Sequence, residues 1–262
     1  MPTAQVDDIT INYEVHGDGP PLLMINGLAD DLTSWAYQTE EFARRFKVVI
    51  FDNRGIGGSS KPEGPYTTAE MAADAHGLLD HLGIERAHVL GVSMGGMIAQ
   101  EFVLAYPERV EKLLLCCTCS EPTQFDLRLY RVWEQTAPVL GLGQMMKELL
   151  LWCFTPEFLQ TQPDVAQETE DALSAITQPL AAYLSQLHSI QAHNATERLG
   201  NISAPTLVLG APQDLIFPPA QSHQLHEGIR TAQLAFTAHG GHAFLWEVPE
   251  EFNAAVLDFL SA

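Results

Sequence analysis

The sequence is poor in basic residues. Only 13 Lys and Arg stand against 33 Asp and Glu, which gives a formal net charge of -20 at pH 7 and a pI near 4.6. Such a chain repels the phosphate backbone of nucleic acids and the anionic surface of a membrane, so neither is expected as a partner. We interpret the charge as a solubilising surface, which by itself does not indicate a cationic substrate.

The chain also lacks long apolar runs. It contains no stretch of about 18 apolar residues, the length that a membrane-spanning helix needs. Its first residues, 1–13, are mixed and polar, unlike the basic and then apolar start of a signal peptide. A cytoplasmic location is therefore expected. The 262 residues, 46% of them hydrophobic, are enough for one α/β domain with a large core.

Cysteine is scarce as well. Three of the four cysteines, Cys116, Cys117 and Cys119, lie together at the end of an apolar run, and Cys153 stands apart. No second Cys or His pair follows at the spacing of zinc ligands. The pattern predicts reduced thiols that pack as small apolar side chains, with neither a disulfide framework nor a metal site. No cofactor is expected.

Short, continuous apolar runs alternate with helical patterns along the first half of the chain. Such runs are typical of strands that are buried on both faces of a sheet. The predicted strands are Ala4–Val6, Ile9–Val15, Leu22–Asn26, Val48–Phe51, His88–Leu90, Lys112–Cys116 and Thr206–Leu209. The predicted helices are Trp35–Arg45, Thr68–Leu82, Met94–Ala105 and, at the end of the chain, Pro249–Leu260. This alternation predicts an α/β fold with right-handed crossovers and a mostly parallel sheet covered by helices.

The alternation stops between residues 121 and 199. Amphipathic helices are predicted there at Phe125–Gln135, Met145–Cys153 and Leu180–His193, separated by Pro and Gly residues. The sequence therefore predicts a core domain of residues 1–120 and 200–262, with a helical cap of residues 121–199 inserted after the sixth strand. A cap there would cover the strand ends, where open parallel sheets bind ligands.

The strongest local motif is Gly-Val-Ser-Met-Gly at 91–95, preceded by an apolar strand and followed by an apolar helix. A sharp turn between strand and helix leaves no space for a Cβ at Gly91 or Gly95. It lifts the serine hydroxyl out of the sheet and directs it at a helix N-terminus, where negative charge is stabilised. The pattern predicts that Ser93 is a nucleophile.

A serine hydroxyl needs a base to remove its proton, and His242 is the best of the ten histidines. It follows two glycines, between the predicted last strand and the terminal helix, where a loop can return across the strand ends. His239, just before those glycines, is the alternative.

The base in turn needs a carboxylate to set its tautomer. Asp214 lies in the loop after the strand Thr206–Leu209 and gives the chain order Ser, Asp, His that is described for strand-turn-helix nucleophiles. Glu121, after the sixth strand, could take the same role from the other side.

Acyl transfer also requires hydrogen-bond donors for the oxyanion. We expect the backbone N–H of Met94 to be one and the backbone N–H of Leu28, in the loop after the third strand, to be the other. The Asn26-Gly27 sequence at that loop is also compatible with an ordinary turn.

Together these motifs resemble the large family of α/β-hydrolases with a helical cap, close in pattern to bacterial carboxylesterases and enol-lactonases. The resemblance implies an eight-stranded, mostly parallel sheet flanked by helices, and a structural role for Asp52 and Arg54 below the site. One departure is Asn26-Gly27, where the family commonly has His-Gly. The matching segments are 51–59, 91–96, 204–206, Asp214 and 241–247.

The function expected from this resemblance is hydrolysis of a small carboxylic ester or lactone through an acyl-enzyme. The same triad serves C–C bond hydrolysis, perhydrolysis and acyl transfer to acceptors other than water, and fold alone does not separate them. A slow-turnover signalling protein that binds a ligand, or an interaction protein with a vestigial site, are alternatives from other classes.

Apolar side chains of the cap could form a roof over the substrate, although for most of them packing against the core is the better explanation. An exposed face of the cap could also support a homodimer. The candidate roof residues are Leu127, Leu129, Trp133, Leu140, Met145, Met146, Trp152, Phe154 and Phe158.

Overall fold

The computed structural model describes residues 2–262, and eight strands form one sheet at its centre. In chain order they are β1 (Thr3–Val6), β2 (Ile9–His16), β3 (Pro21–Ile25), β4 (Lys47–Phe51), β5 (Ala87–Val92), β6 (Val110–Cys116), β7 (Thr206–Gly210) and β8 (Ala232–Phe236). Their order across the sheet is β1-β2-β4-β3-β5-β6-β7-β8. The pairs β1–β2 and β2–β4 are antiparallel, and every pair from β4–β3 to β7–β8 is parallel.

The central strands are buried on both faces, as their continuous apolar runs predict. In β3, Leu23 and Ile25 belong to one hydrophobic cluster, whereas Leu22 and Met24 belong to the cluster on the opposite face. Burying each such side chain contributes about 1.5–3 kcal/mol. The mostly parallel sheet predicted from the alternation of strands and helices is confirmed.

Helices cover both faces of this sheet. Side chains of α2 (Thr68–His81), α3 (Met94–Ala105) and α9 (Pro219–Gly228) join the first cluster, and α1 (Thr39–Ala43), α10 (Phe244–Glu247) and α11 (Pro249–Ser261) join the second. None of the helices in residues 2–262 has the length and apolar character needed to cross a membrane.

Between β6 and β7 the chain is entirely helical. This segment contains α4 (Gln124–Leu140), α5 (Leu142–Cys153), α6 (Pro156–Thr161), α7 (Pro163–Ser174) and α8 (Leu180–Ala192), followed by a short 3-10 helix. Two of these helices, α6 and α7, were not predicted. They begin with Pro156 and Pro163. In the sequence these prolines indicate breaks between helices, but in the structure both occupy the first helical turn, where proline is tolerated. In α4, Pro138 does not end the helix, which continues to Leu140.

The helix predicted over Trp35–Arg45 is shorter in the structure. A 3-10 turn spans Leu32–Trp35, and α1 begins only at Thr39. Side chains satisfy the backbone in between, since the hydroxyl of Thr39 donates to the carbonyl oxygen of Trp35 (2.9 Å). Gln38 is buried and donates to the carbonyl oxygen of Leu245 (2.8 Å). The Thr39 hydrogen bond is local and competes with a continuous helix, whereas the Gln38 hydrogen bond ties this segment to α10.

Candidate active site

Ser93 sits at the turn between β5 and α3 in a strained backbone conformation, with φ 55° and ψ -120°. Non-glycine residues rarely adopt a positive φ, which costs on the order of 1–3 kcal/mol. The glycines on either side explain how the turn is held: a Cβ at Gly91 would collide with the carbonyl of Gly95, and a Cβ at Gly95 with the carbonyl of Ile25. The two glycines therefore permit the close packing that presents the hydroxyl.

Ser93, His242 and Asp214 form a hydrogen-bonded chain. Nε2 of His242 lies 3.0 Å from Oγ of Ser93, and Nδ1 lies 3.0 Å from Oδ2 of Asp214. The other carboxylate oxygen, Oδ1, accepts from the backbone N–H groups of Ile216 (2.9 Å) and Phe217 (2.8 Å). An ionised Asp214 requires Nδ1 of His242 to carry its proton, so Nε2 presents a lone pair to the serine hydroxyl.

The two alternatives lie elsewhere. His239 is exposed, and its carbonyl oxygen accepts from the hydroxyl of Thr237. Glu121 accepts a hydrogen bond from the side-chain amide of Asn194 (2.8 Å). The structure thus brings Asp214 and His242, rather than Glu121 and His239, to Ser93.

Both predicted oxyanion donors are near the serine. Met94 is the first residue of α3, where a backbone N–H has no acceptor within its own helix. Leu28 lines the same cavity as Ser93. The preceding residue, Gly27, passes so close that a Cβ there would lie 3.4 Å from Cβ of Ser93.

Hydrogen bonds from several elements hold this loop in place. The side-chain amide of Asn26 donates to the carbonyl oxygen of Asp30 (3.3 Å), and the amide of Asn53 donates to the carbonyl oxygen of Asn26 (3.2 Å). From α8, Oε1 of Gln186 accepts the backbone N–H of Ala29 (3.3 Å). The side chain of Asn26 therefore stabilises this loop, at a position where the family commonly has histidine.

Asp52 and Arg54 brace the loops below the site, in agreement with the structural role that the resemblance implies. Asp52 accepts from the backbone N–H groups of Leu32 and Gly58, both at 2.7 Å. Arg54 is buried and donates two hydrogen bonds to Asp74 (2.5 and 2.6 Å). Buried ions are stable when they are paired in this way.

Above Ser93 and His242 lies a small, mostly apolar cavity of about 70 Å³, here called the inner cavity. Of the nine candidate roof residues, Trp133, Met146 and Phe154 line it. Leu140 instead is exposed (45%) at the end of α4. Further lining residues are Leu28, Ala29, Asp30, Val92, Tyr130, Leu149, Leu150, Cys153, Leu173, Ile190, Ile216, Phe217, Ala243, Leu245 and Trp246.

A second cavity of about 430 Å³, the outer cavity, adjoins the inner one. The two share five lining residues: Ala29, Asp30, Phe154, Leu173 and Trp246. The outer cavity is the larger of the two but includes neither Ser93 nor His242, so the reacting groups lie in the inner cavity.

All four cysteines are free thiols, and Cys116, Cys117 and Cys119 are buried as predicted, whereas Cys153 is half-buried. Ligand atoms of Cys117, Asp214 and His242 lie within 4.8 Å of one another. Burial, the largest effect, holds the pKa of the Cys117 thiol well above its usual value, followed by repulsion from Asp214. A metal ion there would need the thiolate of Cys117 as a ligand. The hydrogen-bonded chain accounts for Asp214 and His242 without one.

The family described as alpha/beta hydrolase fold matches residues 20–249 of this chain. The chain belongs to the alpha/beta hydrolase fold family. It is 33% identical, over 99% of its length and 98% of the relative's, to a protein of Azorhizobium caulinodans provisionally named carbamate hydrolase RutD. It is 30% identical, over 97% and 94%, to 3-oxoadipate enol-lactonase 2 of Acinetobacter baylyi.

Solved structures agree with this assignment. The enol-lactonase from Burkholderia xenovorans LB400 superposes with a TM-score of 0.93 at 28% identity, covering 100% of both chains. This α/β-hydrolase is thus similar over its full length to proteins named for hydrolysis, which identifies it as a hydrolase of the family.

Sequence reasoning missed several residues of the site. Asp30 and Tyr130 both line the inner cavity, yet neither falls in a motif. Asp30 is the last residue of the loop, residues 26–30, that was predicted to supply an oxyanion donor, and this position was the one signal that could have drawn attention to it. Tyr130 lies one helical turn before Trp133 on α4, so a helical wheel places the two on one face.

Proposed function

We propose that this α/β-hydrolase cleaves a small carboxylic ester or lactone through an acyl-enzyme on Ser93. The observation that carries the proposal is the hydrogen-bonded chain in which His242 lies 3.0 Å from both Ser93 and Asp214. That geometry is within the range in which a histidine can take a proton from a serine hydroxyl.

In the acylation step, Nε2 of His242 takes the proton of Ser93 as Oγ forms a bond to the carbonyl carbon. The backbone N–H groups of Leu28 and Met94 stabilise the oxyanion that develops. Asp214 stabilises the resulting imidazolium and keeps its orientation. The C–O bond to the alcohol then breaks, and His242 returns the proton to the leaving oxygen, which in a lactone remains attached to the acyl chain.

Deacylation repeats these steps with water. His242 takes a proton from a water molecule, whose oxygen attacks the acyl carbon of the ester on Ser93. The second tetrahedral intermediate collapses, Oγ of Ser93 regains its proton from His242, and the carboxylic acid leaves. Water is consumed, and the acid and the alcohol, or a hydroxy acid from a lactone, are formed.

The size of the inner cavity favours a small substrate. About 70 Å³ with a largely apolar lining suits a short acyl group. We further propose that the helices of residues 121–199 act as a cap on a core of residues 1–120 and 200–262, because Trp133, Met146 and Phe154 from this segment line the cavity over Ser93. A cytoplasmic location is part of the same proposal.

The relatives support attack on an activated carbonyl. One is named for a lactone and one for a carbamate, and both functional groups carry the carbonyl carbon that this mechanism attacks. Ester, lactone and carbamate are therefore compared in one experiment.

The test measures nitrophenol release from p-nitrophenyl acetate, butyrate, octanoate and a p-nitrophenyl carbamate, beside pH-monitored opening of γ- and δ-lactones. We expect turnover of short esters or lactones, with octanoate slower because the inner cavity is small. Turnover of the carbamate alone would contradict the ester and lactone assignment. Inactivity on the whole panel, with an organophosphorus probe still attached to Ser93, would favour the signalling alternative.

A further inference from the structure

Besides Asp214, a second carboxylate, that of Asp30, lies near the proposed reaction centre. A Cβ at Gly27 would lie 3.0 Å from Oδ2 of Asp30 and 3.4 Å from Cβ of Ser93, so the carboxylate and the serine flank the same glycine. Asp30 also lines both the inner and the outer cavity. An acyl group that extends from Ser93 toward the outer cavity would therefore enter space that Asp30 lines.

Positive charge is missing along this route. Among residues 2–262, no Lys or Arg lines either cavity. The outer cavity adds two further carboxylates, the half-buried Asp31 and the exposed Glu168, whose charge water and salt screen. A substrate carboxylate in the inner cavity would thus leave water without gaining a cationic partner, which is strongly unfavourable.

The charge on Asp30 depends on its surroundings. Burial raises the pKa of Asp30 to about 7, while the positive form of His242 opposes this rise and Asp31 adds to it. The hydroxyl of Ser34 also hydrogen-bonds the carboxylate, and the thiol of Cys153 faces it from the end of α5. Asp30 is therefore largely ionised at pH 8 and largely neutral at pH 6.

We propose that Asp30 is a specificity-determining residue that excludes acyl groups carrying a negative charge, so that the substrate is an uncharged ester or lactone. This inference rests on the proposed function, since it assigns the substrate class of the same site. Asp30 and Ser93 both lie beside Gly27, so a carboxylate on an acyl group bound to Ser93 would be close to Asp30. Two negative charges in a weakly polar cavity repel each other far more strongly than in water.

The experiment compares two esters of equal acyl length, p-nitrophenyl pentanoate and the mono-p-nitrophenyl ester of glutaric acid. The measured quantity is the ratio of kcat/KM for the anionic ester to kcat/KM for the neutral one. We expect the wild-type ratio at pH 8 to be low and Asp30→Asn to raise it at least tenfold. The matched control is Glu168→Gln, which removes the same charge from an exposed position of the outer cavity and should change the ratio less than twofold.

A second measurement follows the ratio in the wild-type protein from pH 6 to pH 8. The free carboxyl of the glutarate ester is ionised throughout, and the ratio removes pH effects that are common to the two esters. We expect the ratio to fall several-fold as Asp30 ionises, and to stay flat in Asp30→Asn.

Four results would overturn the inference. Equal wild-type rates on the two esters, or a ratio unchanged by Asp30→Asn, would remove the role of Asp30 and leave the proposed function standing. An equal rise in Glu168→Gln would show an effect of net charge only. Failure to hydrolyse either ester, or any member of the ester and lactone panel, would instead overturn the proposed function and with it this inference.

Discussion

The carboxylate of Asp214 accepts hydrogen bonds from the backbone and from the side chain of His242. Oδ1 accepts two backbone N–H groups, from Ile216 and Phe217, and Oδ2 faces Nδ1 of His242. The two backbone donors fix the carboxylate in one orientation, so the remaining oxygen can hold the imidazole in one tautomer. A neutral amide at this position could donate to Nδ1 and would then favour the tautomer with its proton on Nε2, which cannot act as a base toward Ser93.

We therefore expect Asp214→Asn to lower kcat by about 10³–10⁴-fold, the size of effect that a wrong tautomer produces in such triads. Steady-state kinetics on p-nitrophenyl butyrate measures it. The matched control is Glu121→Gln, which alters the alternative carboxylate and should leave kcat within about twofold. If Glu121→Gln were the damaging change, the acid would have been assigned to the wrong loop.

At the scale of elements, the turn between β5 and α3 depends on backbone contact. Gly95 lies against the carbonyl of Ile25 at the end of β3, and Gly91 lies against Gly95 itself. A side chain at either position must push β3, β5 and α3 apart. The packing that presents Ser93 is thus a property of three elements together.

Gly95→Ala should lower the free energy of unfolding by about 1–3 kcal/mol or more, the cost of overpacking a close contact. Urea unfolding monitored by circular dichroism measures this value. Gly200→Ala serves as the control, because a Cβ at position 200 meets no atom within 4 Å, and its stability should stay close to that of the wild type. Equal stability of the two variants would contradict the tight packing of the turn.

Much of the fold and of the candidate site could be predicted from the sequence, because short local patterns determine them. The strand runs, the Ser93 turn, and the positions of Asp214 and His242 after strands all follow from short segments. Helices α6 and α7 could not be predicted, since Pro156 and Pro163 look the same as breaks until their place in a first turn is known. Asp30 was also missed, because its role depends on which side chains from distant elements surround it.

At the scale of the whole molecule, stability depends on groups that are buried away from the site. His193, just after α8, lies under the surface with Nδ1 3.1 Å from Oγ1 of Thr68 on α2. Burial lowers the pKa of His193 to about 4, with Glu101 opposing this shift and Arg198 adding to it. Below pH 6.5, His193 is therefore protonated in the unfolded chain at pH values where it is still neutral in the folded protein.

Because the unfolded state binds more protons between pH 6.5 and 4, the stability contributed by neutral His193 is complete above pH 6.5 and is lost as the pH falls. At pH 5 the loss should be about 2 kcal/mol relative to pH 7. Urea titrations at the two pH values measure it. His193→Gln, which has no titrating ring, should lose less stability over this interval by about that amount. An identical loss in wild type and variant would contradict the assignment.

The proposed function depends on a covalent bond between the acyl group and Oγ of Ser93. Replacing the hydroxyl of Ser93 tests for that bond. The measurement compares wild type and Ser93→Ala on the short ester or lactone that the wild type hydrolyses best, with labelling by an organophosphorus probe located by mass spectrometry. We expect kcat to fall by at least about 10³-fold in Ser93→Ala and the probe to attach to Ser93 in the wild type alone. Hydrolysis by Ser93→Ala at the wild-type rate would contradict this expectation.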